Sequence, residues 1–272
     1  MTSPVTVVIP TLNRPRLTAE AVESARALPG GVADIIVVDT GSGEDSLDEL
    51  RQLVPGCRLI EGHYPNQAAA RNVGARRVET DAIAFLDSDD RYLPRFSECL
   101  LPALESDPKA LLVAGRIEVI DVDGSPDPDA TANIHSLYEK ALAFPEDYEG
   151  VARSSLMYTS ATLVRKAAFD AVGGYDEAVP AGSEDWDLYL RLAAIGTIRT
   201  LPCPVAEYRV WPNNTSWYRH AHGVAEVAQK HLRGLPGVSD ADRERADLYL
   251  RAHLVFSLHS MVRREEVRQE AM

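Results

Sequence analysis

The sequence predicts an α/β protein: a mostly parallel central sheet flanked by helices, followed by a helical C-terminal tail. Short β-branched runs alternate with segments of helical periodicity through the first half of the chain. The ends of those runs, Pro10-Thr11-Leu12-Asn13, Asp39-Thr40-Gly41-Ser42 and Asp87-Ser88-Asp89-Asp90, all carry polar residues. In an open parallel sheet, ligands bind beyond the carboxyl ends of the strands, so polar residues are needed there. From His220 onward the pattern is helical to the end.

The elements follow in order. Val5 to Ile9 is a strand closed by Pro10, and Thr11 to Pro15 is a polar loop. Leu17, Ala21, Val22, Ala25 and Leu28 recur at helical spacing, and Pro29-Gly30-Gly31 stops that helix. Ile35 to Val38 is a second strand, ended by Asp39-Thr40-Gly41-Ser42-Gly43; a helix with Leu47, Leu50 and Leu53 inside follows. Arg58 to Glu61 is a third strand, Ala68 to Val78 a helix and Ala82 to Leu86 a fourth strand. Next come a helix over Phe96 to Leu104 and a strand over Ala110 to Ile120. Residues 131–155 read as a flexible or helical insert and Met157 to Val164 as a strand. Lys166 to Val172 is a short helix stopped by Gly173-Gly174, Trp186 to Ala194 is a helix, and Ile198 to Tyr208 resumes strand character.

Composition narrows the function. With 272 residues, 45% hydrophobic and 25% charged, the chain can bury a substantial core. A formal net charge of −13 disfavours a nucleic-acid surface, which needs a basic footprint. No apolar run approaches the roughly 18 residues of a membrane span, and no signal peptide is visible. The cysteines Cys57, Cys99 and Cys203 are far apart and form no CxxC pair, so they read as separate small hydrophobes in a reducing, cytoplasmic setting.

The most informative motif is Phe85-Leu86-Asp87-Ser88-Asp89-Asp90, where an apolar strand ends abruptly in acids. Hard divalent cations take oxygen ligands, and Mg2+ is commonly shared between a few protein carboxylates and substrate phosphates. The alternative is a solvated polar turn. Asp39 is suited either to accept hydrogen bonds from a base or ribose or to form a turn. Arg71-Asn72 lies in a run of small residues that lets a helix approach a sheet or ligand closely. Ser183 is a natural N-cap, which places Asp185 in a first helical turn, where the helix dipole favours the ionised form that a general base needs. Gly41-Ser42-Gly43 lacks the third glycine of a dinucleotide fingerprint, its place being Ser46. The acidic turn Asp121 to Asp129 lacks calcium-loop spacing and contains two prolines.

Taken in order, Val7-Val8-Ile9-Pro10-Thr11-Leu12-Asn13-Arg14, Val37-Val38-Asp39, Ala70-Arg71-Asn72-Val73-Gly74, Phe85 to Asp90, Gly173-Gly174-Tyr175-Asp176-Glu177, Glu184-Asp185-Trp186-Asp187-Leu188 and Tyr208-Arg209 resemble a family 2 glycosyltransferase of the GT-A fold, whose sheet is Rossmann-like. The resemblance spans roughly residues 4–216. It implies a catalytic domain over 1–216, with a nucleotide-binding half over about 1–93 and an acceptor-binding half over about 94–216, and a helical extension over 217–272. It further implies inverting transfer of a sugar from a nucleoside diphosphate, UDP foremost, to a glycan, lipid-linked or small-molecule acceptor. By the same match, Pro10, Thr11, Asn13, Asp39, Arg71, Asp87 and Ser88 bind the nucleotide, and Asp89 holds Mg2+ or Mn2+. Asp185 is the base and Glu184 positions the acceptor, with Trp186, Arg209 and Trp211 in the acceptor or diphosphate loop. Members of this family often carry a histidine where this chain has Trp211, so either the metal shell has one fewer protein ligand or His220 or His222 reaches back to it.

Two alternatives stand beside this reading. A nucleotidyltransferase would want a glycine-rich basic loop after the first strand, which Thr11-Leu12-Asn13-Arg14-Pro15 is not. A non-catalytic binding module would not need Asp87, Asp89 and Asp185 together. Leu248, Leu250, Leu254, Val255 and Leu258 give the tail an apolar face that packs on the catalytic domain or forms a homodimer. The mixed charge of Arg263-Arg264-Glu265-Glu266 argues against a membrane-surface helix.

Overall fold

Strand and helix alternate as expected in the computed structural model, which describes residues 5–141, 146–153, 156–211, 216–234 and 238–270. The first half runs β1 (Val5–Thr11), α1 (Pro15–Arg26), β2 (Asp34–Asp39), α2 (Glu44–Leu53), β3 (Arg58–Glu61), α3 (Gln67–Ala75), β4 (Ala82–Phe85) and β5 (Arg91–Tyr92). A π-helical turn (Phe96–Leu100) leads into α4 (Leu101–Ser106), β6 (Ala110–Ile120), α5 (Pro128–Ala141) and α6 (Tyr148–Arg153). A 3-10 turn (Thr159–Ala161) precedes β7 (Thr162–Arg165), α7 (Lys166–Ala171), α8 (Glu184–Ala193) and β8 (Thr197–Arg209). The tail is α9 (Ser216–Leu232) and α10 (Asp240–Glu270).

One sheet joins all the strands in the order β3-β2-β1-β4-β7-β6-β8-β5. The β3-β2-β1-β4 half is parallel throughout, as is the β6–β8 pair. The expectation of a mostly parallel sheet therefore describes the first half, whereas β7 enters antiparallel between β4 and β6 and β5 lies antiparallel on β8. All seven residues of β1 are buried, which is why its sequence reads as a continuous apolar run and not as an alternation. Val8, Ile36, Val38, Ile83 and Phe85 face a layer containing α3 and α8, while Val7, Ile9, Ile35 and Val37 face α1.

The small residues of α3 have a direct packing reason. A Cβ built on Gly74 would stand 2.4 Å from Val8 Cγ1 and 3.1 Å from Val38 Cγ2, so the helix backbone rests on the sheet. Gly74→Ala should therefore cost about 1–3 kcal/mol by overpacking, despite the better helix propensity of alanine. A urea melt of the variant that matched or exceeded the wild type would show that α3 has room to lift.

Several expectations are corrected. The 131–155 insert is helical where described, as α5 and α6, and the strand expected over Met157 to Val164 shrinks to β7 behind the 3-10 turn. Cys99 and Cys203 form a disulfide across 104 positions, leaving Cys57 free, so the argument from separate thiols to a reducing compartment does not stand. Sequence distance hid that pair, because only the sheet order brings β8 beside the π-helical turn. The domain boundary expected near Pro212-Asn213-Asn214 lies outside the described residues.

The tail belongs to the same core as the site. Val227, Ala228, Ala246 and Leu250 pack in one cluster with Trp186, Leu188 and Leu190 of α8. Asp187, wholly buried on α8, accepts from His231 Nε2 at 3.0 Å and pairs with Lys230 Nζ at 2.7 Å, both on α9. Burial opposes its charge, but His231, Arg191 and Lys230 outweigh that and hold the carboxyl below the usual range. The opposite face of α10 leaves Leu248, Val255 and Phe256 exposed. No helix among the described residues is long and apolar enough to cross a membrane.

Candidate active site

The carboxyl ends of β1, β2 and β4 lie side by side, so the three polar segments of the sequence meet at one edge. The loops after β1 and β2 are knitted together. Asn13, at a left-handed φ of 52°, donates its N–H to Ser42 Oγ at 2.7 Å, and its Oδ1 accepts from Gly43 N at 2.8 Å. Asp39 accepts from Gly41 N and Ser42 N, both at 3.0 Å, and from Ser42 Oγ. With Asp39 only 1% exposed, its carboxylate is a turn former here. Pro10 and Thr11 are buried within β1, and the Thr11 hydroxyl bonds that of Thr18 at 2.7 Å. They shape the loop from behind and do not present side chains to an open pocket.

The turn after β4 divides its acids. Asp87 Oδ1 accepts from Arg71 Nη2 at 2.5 Å. Asp89 points the other way: its Oδ2 accepts from Arg14 Nη1 and from Trp211 Nε1 (2.9 Å), with the Arg14 guanidinium 5.5 Å from the centre of the Trp211 ring. Asp90, which the sequence reading left without a role, is 2% exposed and bonded to Ser160 Oγ (2.6 Å) and Arg209 N (3.0 Å). Burial, then Asp87 and Asp89, push its carboxyl well above the usual range. Ser88 is buried in the turn.

Arg71 was expected against a nucleotide. It is 1% exposed, bonded through Nη1 to Glu184 Oε1 at 2.7 Å and through Nη2 to Asp87, with Tyr175 under it at 5.3 Å. The helix that presents it is capped by Asn66, whose Oδ1 accepts from Ala69 N at 2.9 Å. The neighbouring Asn72 holds the turn before α8 by bonding both Tyr175 O and Tyr175 N at 2.9 Å.

At the start of α8, Ser183 occupies the N-cap position, but its hydroxyl bonds Gly182 O and caps nothing. Glu184 folds back on the backbone before the helix: its Oε2 takes Gly182 N at 2.6 Å and Ser183 N at 3.1 Å. Asp185 Oδ1 accepts from Trp186 N at 2.7 Å. The expectation that the helix dipole keeps Asp185 ionised is corrected: burial, then the adjacent Glu184, push its carboxyl up to about 7. At a helix start the dipole is outweighed when the group leaves water beside another acid.

A cavity of about 340 Å³ lies between these elements, lined by Arg71, Asp87 and Asp90 on the sheet side and Glu184 and Asp185 on the α8 side. Tyr158 and Tyr208, with ring centres 4.9 Å apart, also line it. Ser160 and Tyr158 were missed because they sit in a run that reads only as strand; nothing in its alternation marks them.

Two expected loop residues are framework instead. Trp186 is 1% exposed, donates Nε1 to Val151 O at 2.9 Å and packs edge-on to His253, so it faces the core and not an acceptor. Arg209 is 3% exposed and bonds Asp89 O (2.8 Å), Val122 O (3.0 Å) and Glu20 Oε2 (2.8 Å), which clamps the acidic turn and leaves nothing for a diphosphate. Trp211 does stand at the site, on Asp89. His222 pairs with Glu226 on the surface of α9 and does not reach back. The side chain of His220 lies outside the described residues.

Among the described residues no cluster of three or more His, Cys, Asp or Glu forms a metal cage. A hard cation shared with a diphosphate needs fewer protein ligands. Asp89 is partly exposed and uses only Oδ2 toward Arg14 and Trp211, so its Oδ1 fits that chemistry.

Residues 6–172 match the model for "Glycosyl transferase family 2". That match ends before Glu184 and Asp185. An "Uncharacterized glycosyltransferase YwdF" of Bacillus subtilis is 26% identical over 205 residues, covering 75% of this chain and 73% of that protein. A "Pre-mycofactocin glycosyltransferase" of Mycobacterium tuberculosis is 34% identical over 197 residues, covering 71% of this chain but only 39% of the relative. Among solved structures, mannosyltransferase PcManGT from Pyrobaculum calidifontis, in complex with GDP-Man and Mn2+, superposes with a TM-score of 0.68 at 16% identity over 96% of this chain and 76% of its own. S. aureus TarS 1-349 in complex with UDP-GlcNAc does so at 0.67 and 14% over 94% of this chain and 73% of its own. At such identities the likeness establishes the shared GT-A fold.

Proposed function

This chain belongs to glycosyl transferase family 2, and from that membership we propose that it moves a sugar from a nucleoside diphosphate, a UDP-sugar foremost, to an acceptor hydroxyl with inversion. The observation that carries the proposal is the meeting of Arg71, Asp87, Glu184 and Asp185 around one cavity at the sheet edge. Neighbours of the same fold bind UDP-GlcNAc or GDP-Man, which supports a nucleotide-sugar at that edge.

Asp185 acts as the general base. A hydroxyl is a poor nucleophile at neutral pH, and a carboxylate on the far side of the sugar takes its proton as it attacks. A base whose proton affinity sits at about 7 is matched to that task near neutrality. Attack from that face inverts the anomeric centre, through a transition state of oxocarbenium character. Asp87 keeps Oδ2 free for a ribose hydroxyl while Oδ1 stays on Arg71. Asn13 and the Asp39 turn form the edge on which the base rests. When Mg2+ or Mn2+ is bound at Asp89, it supplies Lewis-acid neutralisation of the leaving diphosphate. Tyr158 and Tyr208 offer an uncharged wall to a glycan, lipid-linked or small-molecule acceptor.

Isothermal titration tests this reading. UDP, dTDP and GDP, each with and without Mn2+, should include one that binds the wild type with metal dependence and loses that dependence in Asp89→Ala; NAD+ should not bind. Failure of all three diphosphates would overturn the proposal.

A further inference from the structure

We propose that Arg71 and Glu184 are positioning residues for the base: together they tie the acidic turn after β4 to the first turn of α8 and aim Asp185 into the cavity. This rests on Asp185 being the base and gives both residues roles other than touching substrate.

The argument starts from what each group has left to offer. Glu184 is 4% exposed. One of its oxygens is held by Arg71 at 2.7 Å, and the other caps Gly182 N and Ser183 N at 2.6 and 3.1 Å. Burial works against its charge, but Arg71 outweighs that and holds the carboxyl below the usual range. It thus stays ionised with both oxygens engaged, and it ties down the backbone that leads into α8. Arg71 spends both Nη atoms on Glu184 and Asp87, leaving only its buried Nε without a partner, and its planar fork spans two carboxylates in a way that a lysine's single ammonium does not. The link runs from β4 through α3 to α8, elements far apart in the sequence.

Electrostatics follow the same path. The groups facing Asp185 are Glu184 on its own helix, Arg71 on α3, Asp87 after β4, and the phenols of Tyr158, Tyr175 and Tyr189. Burial raises all three phenols, Tyr158 to about 12, so they are neutral in the working range. Only Glu184, Arg71 and Asp87 carry charge. Glu184 makes Asp185 harder to ionise and Arg71 makes it easier, so removing either one should move the base in a known direction.

The test is a carboxyl 13C NMR titration of Asp185, its signal assigned by loss in Asp185→Asn, with turnover measured in parallel. It needs no identified acceptor, because hydrolysis of UDP-GlcNAc or GDP-mannose to the free sugar serves as the probe reaction. In Glu184→Gln the Asp185 midpoint should fall by about one pH unit, and in Arg71→Gln it should rise by about one. Each variant should also lower kcat more than it raises the donor KM. Arg71→Lys should restore the midpoint without restoring kcat, because the charge returns and the bridge does not. Residues that merely stabilise the fold would lower melting temperature with the midpoint unmoved, and that outcome, or movement of both variants in one direction, overturns the proposal. Should Arg71→Gln fail to fold, an unshifted midpoint in Glu184→Gln overturns it alone. Full turnover in Asp185→Asn would instead remove the base assignment, a result distinguishable because the NMR midpoints are read independently of activity.

Discussion

Asp185→Asn should lower kcat by about 10³-fold while leaving donor KM within about threefold, because a general base acts in the transition state and not in donor binding. The wild-type rate should rise with pH through a midpoint of about 7, where burial and Glu184 set the carboxyl, and level off above it. The variant's residual rate should lack that limb. A drop confined to KM would instead make Asp185 a binding group.

The same substitution has an opposite consequence for stability. In the folded protein Asp185 holds its proton more tightly than an ordinary carboxyl does in the unfolded chain. Its contribution is therefore full below the ordinary carboxylate range and is lost as pH rises through about 7. Asparagine carries no such charge, so the variant should melt higher than the wild type at pH 8, and its advantage should be clearly smaller at pH 5. Thermal melts at the two values check this. A helix whose first residues are chosen for the reaction holds two acids side by side, one buried and one at the cavity wall, and stability is given up where function needs it.

Trp186→Ala should cost about 3–5 kcal/mol, the range for emptying a fully buried large aromatic site. The ring belongs to the same buried core as Val227, Ala228 and Leu250 of the tail helices, and stands edge-on to His253 at 5.1 Å. Its removal leaves a cavity and takes from Val151 O the hydrogen bond it receives at 2.9 Å. Because the ring lies behind Asp185, the loss should reach the reaction by loosening α8 against α9 and α10. Urea denaturation measures the change directly, and a cost under about 1 kcal/mol would mean that the tail closes over the gap or contributes little to the core.

The parallel half of the fold was legible because each of its elements is a local pattern. Val5 to Ile9 and Ile35 to Val38 are buried on both faces and read as largely apolar runs, and Pro29-Gly30-Gly31 is a local stop. The acids after β4 were legible as a break in such a run. The antiparallel entry of β7 was not, since a four-residue strand carries no mark of its neighbour's direction. Trp186 and Arg209 were misjudged for a related reason. An aromatic or a charged residue beside a motif has the same identity whether it faces a ligand or the core, and only the packing of α6, α10 and the 121–124 loop around it decides which.

By itself, then, the sequence determined the α/β class, the edge where the polar segments gather, and the residue types Arg71, Asp87, Asp89, Glu184 and Asp185. Local periodicity and chain order are enough for those. The tertiary structure decided what the residues do to one another: Arg71 held between Asp87 and Glu184, Asp89 turned away toward Arg14 and Trp211, and Asp185 raised to about 7. Those outcomes depend on distances between groups as much as 122 positions apart. Charge, burial and hydrogen bonding act through space, and only the folded chain supplies the distances.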